Sequence, residues 1–351
     1  MSDSEDTGMR PGSAGDVPKP DLGEPTGEAA VPGAVEPRPE GGRSARTRPP
    51  LWPKLVAAIA VVAVLIVGYF GITGYERVRA AQEALDEAAS LLESAEDDVL
   101  VIDAATLAEV SSEVETSAAD ALALVEGVRG KALEASRAIT EIRPDLPEEL
   151  IGLAEALGES ASARVEMMDA APVVLEADIA AARAMVAADG ALAEVKAAET
   201  LVTKGVAEFN KHTAAGVKAS GQYSTEAEAK LNVAKSLFTS ATAEFPGADY
   251  SAFIAYVDAK IGLIAEARKI DSLWLAGKVE QSNSQLAAYN KKDAEIVKMA
   301  EALPESVRDP IADAYEKATA EAAKSYFEAR ERARAAGERV TEIREELATE
   351  E

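Results

Sequence analysis

From Leu55 to Tyr75 the chain runs for 21 residues without a charge. As a helix this run would measure roughly 31 Å, close to the ~30 Å hydrocarbon core of a bilayer. Trp52 and Lys54 at one end, and Tyr69, Phe70 and Tyr75 at the other, are residue types expected at membrane interfaces. A cleavable signal is the competing reading, since Val78 and Ala80 precede Ala81 as a cleavage motif requires. The run is too long for that, and the 53 residues ahead of it exceed a usual signal's basic region. A retained transmembrane helix over 54–75 is therefore expected. Arg43, Arg46, Arg48 and Lys54 precede it, against Arg77 and Arg79 beyond it. That bias predicts a cytoplasmic N-terminus and a C-terminal domain outside the cell membrane.

Residues 1–53 hold 10 of the 16 prolines and 8 of the 23 glycines, with few apolar residues and no period. Such a segment buries too little surface to offset its ordering entropy, so a disordered cytoplasmic tail is expected. The residues after 75 are rich in alanine, poor in proline and spaced as helices. Tyr250, Phe253, Ile254, Val257, Ile261 and Ile264 give the clearest helical face. No window alternates like a strand. The predicted fold class is all-α: a single transmembrane helix, then an elongated helical-hairpin or coiled-coil stalk, then a helical bundle.

The stalk, 76–143, rests on a heptad of Val78, Leu85, Leu92 and Val99, interleaved with Ala81, Ala88, Ala95 and Ile102. Asp103 is placed as the N-cap of a second helix. Two narrow stripes fit an antiparallel hairpin or a parallel dimer of one long helix, the latter implying self-association through the stalk. The Ala-rich bundle spans 144–347, with breaks expected at 143–147, at Pro172, at 220–228, at 245–249 and at 303–306. Segments 206–218 and 286–298 match at six of thirteen positions, which raises a duplicated hairpin. All twelve aromatics after position 75 fall between Phe209 and Phe327, so a thick core is expected only in the distal half.

A net charge of −26 excludes a nucleic-acid partner, because phosphate neutralisation needs clustered bases. The chain has no cysteine, and its one histidine, His212, cannot build a zinc site alone. No nucleotide, metalloprotease or nucleophile-elbow motif occurs. Carboxylates are too abundant to be diagnostic. No enzyme activity, metal or cofactor is expected. Lys204, Lys211 and Lys218 fall seven apart and would form one basic helical stripe, read as a candidate contact face for a protein or an anionic envelope polymer. Together with the lipid bilayer these are the expected partners. The implied function is a non-catalytic, membrane-anchored extracytoplasmic tether of a bacterial cell envelope. The alternative is a transmembrane sensor whose cytoplasmic tail binds a partner.

Overall fold

The computed structural model describes residues 72–349, which contain eight α-helices and no strand. They are α1 (Ile72–Ser94), α2 (Glu96–Thr106), α3 (Glu115–Ile142), α4 (Glu148–Phe209), α5 (Ala214–Glu244), α6 (Ser251–Leu275), α7 (Val279–Glu301) and α8 (Asp309–Thr349). Pro144 and Pro147 end α3 in a short 3-10 turn and set the extended backbone that starts α4. At 62 residues, α4 is the spine; it would measure roughly 93 Å at 1.5 Å per residue. It packs against α3, α5 and α8, while α6 lies on α5 and α7 on α6.

Burial along α4 reflects those neighbours. Up to Ala188 buried residues fall on several faces, as at Ala161, Ala163, Met167, Met168, Ala170 and Ala171. Beyond it they thin to Ala191, Val195 and Ala198, and then Gly205 two turns on, as a helix with neighbours on one side requires.

Ion pairs fix the direction of each neighbour. Glu115, Arg129 and Arg143 on the α3 side meet Arg183, Asp169 and Glu155 of α4 at 2.8, 2.6 and 3.1 Å. Each step is two heptads on both helices, so they run antiparallel with one face in register. Lys230 to Glu194 at 2.9 Å, with Gly205 lying beside Ser220, sets α5 antiparallel to α4. Arg308 to Asp189, with Arg332 to Glu166, does the same for α8.

Three apolar cores follow one another along α4. The first joins Leu85, Leu92, Ala132, Ile139, Leu150, Leu157 and Val340 from α1, α3, α4 and α8. The second sets Ile102, Val125, Met168 and Leu175 around Tyr326 of α8. The third holds the stacked Phe238, Tyr250 and Phe253, with Tyr250 Oη donating to the Val307 carbonyl at 2.6 Å.

The all-α class expected from the sequence is what the described residues show, but the membrane-spanning part of that expectation is corrected. Among the described residues no helix is long and apolar enough to cross a membrane. Ile72 to Tyr75, read as the end of a span, are instead the first turn of α1, which continues through Glu76, Arg77, Arg79 and Glu83 to Ser94. The structure therefore supports neither the single-pass topology nor the outward C-terminal domain drawn from it. The bilayer, with a protein or envelope polymer beside it, has no support as a partner. The tether and sensor readings fall with the span. The rest of that run, 54–71, lies outside the described residues, as do Trp52, Tyr69, Arg43, Arg46 and Arg48. The helices of the expected stalk do not stand apart either, since Leu85 and Leu92 pack on Leu150, Leu157 and Val340.

Candidate functional site

The chain breaks at Ala95, between α1 and α2, and the break exposes carbonyls that a continuous helix would have satisfied. Side chains take them up. Ser94 Oγ donates to Leu91 O at 2.8 Å, Lys131 Nζ to Ser94 O at 2.8 Å, and Arg164 Nη1 to Leu92 O at 2.7 Å. Two cations thus sit at the carbonyl end of α1, while Glu96, Asp97 and Asp98 open α2, both favourable to the helix dipoles. Arg164 is only 9% exposed and also donates to Glu96 Oε2 at 2.6 Å.

Beside this break lies a crevice of about 370 Å³, walled by α1–α2, α4 and α8. Its surface is largely apolar, from Leu92, Val99, Leu157, Met167, Ala333 and Val340, with Ser160 and Thr341 among the polar lining. Leu100, 57% exposed, also lines it. Asp103 accepts both arms of Arg330, at 2.6 and 2.9 Å, and the Tyr326 hydroxyl at 3.3 Å. Burial pushes the Tyr326 phenol well above its ordinary pKa, and the Asp103 charge pushes the same way. Hydrogen bonding to Asp103 raises the Arg330 guanidinium in turn, a charge-assisted contact that holds the arginine in place. Arg334 differs. It is mostly exposed, and its partners, Glu331 at 2.7 Å and Glu338 at 3.1 Å, belong to its own helix.

The sequence-derived sites map elsewhere. Lys204 lies in α4, Lys211 in the α4–α5 turn and Lys218 in α5, all exposed. The turn interrupts the expected stripe, and Lys211 is already paired with Glu208 at 2.5 Å. His212 adopts φ 51° there, Thr213 caps α5 through the Gly216 amide at 3.0 Å, and a Cβ on Gly216 would stand 2.4 Å from Glu208 O. Only glycine fits that approach. Tyr75 falls in the first turn of α1. Asp103, expected as an N-cap, sits inside α2 and holds Arg330 instead.

The crevice residues were not singled out by sequence reasoning. The available signal was a charge in apolar register: Arg164 stands within "SASARVEMM", and its neighbours one turn away are Ser160 and Met168. Among the described residues no group of three or more His, Asp or Glu could hold a metal ion. Fold and site together define an all-α antiparallel helical protein with an arginine-rimmed crevice at a helix break. No family model, curated protein or solved structure matches the chain.

Proposed function

We propose that this chain is a non-catalytic binding protein whose crevice takes an amphipathic guest with an apolar body and an anionic end. The observation that carries this reading is Arg334, an exposed guanidinium above an apolar floor, held only by two acids of its own helix. Such exposed pairs are weak and exchange readily for a better-placed carboxylate. The volume falls within the range of small-molecule sites. The non-catalytic reading draws on Glu96 and Asp103, the carboxylates of the lining, each already engaged by an arginine. General acid–base work needs a group whose proton is available to a substrate.

Calorimetric titration of the full chain with decanoate and with decanol tests the proposal. Decanoate should bind saturably and decanol roughly tenfold more weakly, one charge-assisted contact being lost. Arg334→Gln should remove the difference between the two. Equal affinities for both probes in the unaltered chain, or no saturable heat with either, overturn the assignment.

A further inference from the structure

Arg344, near the end of α8, is 4% exposed, and none of its three guanidinium nitrogens has a hydrogen-bond partner. Facing it on α1 are Asp86 and Glu93, whose charges it senses without making an ion pair to either. Asp86 Oδ1 is buried and unpartnered too, as is Nε2 of Gln82, one turn earlier on the same helix. Four buried donor atoms and one buried acceptor therefore lie on Arg344 and on two successive turns of α1, the nearer of which carries Asp86. None of these residues lines the crevice described above.

An unpaired buried guanidinium is among the most costly groups a protein interior can hold, so its donors call for an acceptor. A second carboxylate would satisfy Arg344 and Gln82 but would face Asp86 with like charge. A guest must accept from the guanidinium fork and the amide, and donate to Asp86. We infer that Arg344, Gln82 and Asp86 form a binding site for a small planar oxyanion that carries its own hydroxyl, bicarbonate being the simplest of the class. The planar fork of arginine matches two oxygens of such an anion, and its O–H supplies the donor that Asp86 lacks. Burial also raises the Asp86 pKa, with Arg344 opposing, which eases sharing of a proton across that contact.

The test is the thermal midpoint of the full chain against sodium bicarbonate at constant ionic strength and slightly alkaline pH, with sodium chloride and sodium formate as parallel probes. Bicarbonate should raise the midpoint and follow the mass-action curve of a single site. Formate, planar but without the hydroxyl, should need roughly tenfold higher concentration, and chloride should do nothing. Arg344→Met should abolish the bicarbonate response. Should that variant fail to fold by circular dichroism, Gln82→Leu replaces it and should shift the concentration dependence several-fold. An identical rise with chloride, a bicarbonate response left unchanged in either folded variant, or no rise at all overturns the assignment and leaves these groups satisfied by water.

Discussion

Asp178 and Asp271 are carboxylates that the packed helices keep from water, and both are pushed up to about 6 by burial. The Tyr315 hydroxyl, donating to Asp178 Oδ1 at 2.7 Å, and the Ser220 hydroxyl at Asp271 offset part of that effect. Asp271 Oδ2 has no partner and faces Gly221, where a Cβ would stand 3.7 Å away. A folded-state pKa above the unfolded value means that the protonated acid is the better tenant. Its stabilising effect is complete below about pH 4 and is lost as pH rises through about 6. A shift of that size corresponds to roughly 3 kcal/mol at most. Asp271→Asn should therefore leave urea stability unchanged near pH 4 and increase it at neutral pH. An equal change at both ends would show that the carboxyl's charge is not what the fold resists. Sequence reading had no access to this residue. "KIDSLW" reads like any acid among 62, whereas its burial is tertiary: Gly221 of α5 lies beside its carboxylate and Ser282 of α7 bonds the adjacent Ile270 carbonyl.

Helices were more legible than their limits. The heptad residues Leu85, Leu92, Val99, Ala81, Ala88, Ala95 and Ile102 are all buried, because a seven-residue apolar repeat needs only one neighbour to make sense. Breakers misled where tertiary packing overrode them. Pro172 lies inside α4, flanked by the buried Met168, Ala171, Val174 and Leu175. Its ring removes one helical hydrogen bond and crowds the Met168 carbonyl, a cost that burial on both sides outweighs. Pro172→Ala should raise stability by about 1–3 kcal/mol in denaturant melts. A loss instead would mean that the proline's own packing outweighs its effect on the backbone. The converse error is the break at 107–114, which holds no proline or glycine. There α2 ends on Thr106, whose hydroxyl donates to Ile102 O at 2.8 Å, and α3 restarts only at Glu115.

Connections among these helices are uneven. α4 has neighbours on several sides, whereas α7 rests on α6 and buries only Ser282 and Ile296 fully. Local opening follows buried contact, so amides of α7 should exchange with deuterium well before those around Met168 to Leu175, read by mass spectrometry. Equal protection in both would make the helices one cooperative unit. Aromatic spacing had suggested a thick core in the distal half alone. Tyr326 departs from that, because α8 folds back and sets its ring among Ile102, Val125 and Met168. No local pattern announces such a return, since Arg330 and Asp103 meet across 227 residues of chain. The return also has a consequence on the ribosome. When α7 has just emerged, Met168, Leu175 and Ile102 lack the ring of Tyr326. They stay so while the 41 residues of α8 are added, an interval of roughly 2–8 s at common elongation rates. A nascent chain stalled before Asp309 would thus display a sticky seam along α2 and α4, the kind of surface that holding chaperones grip.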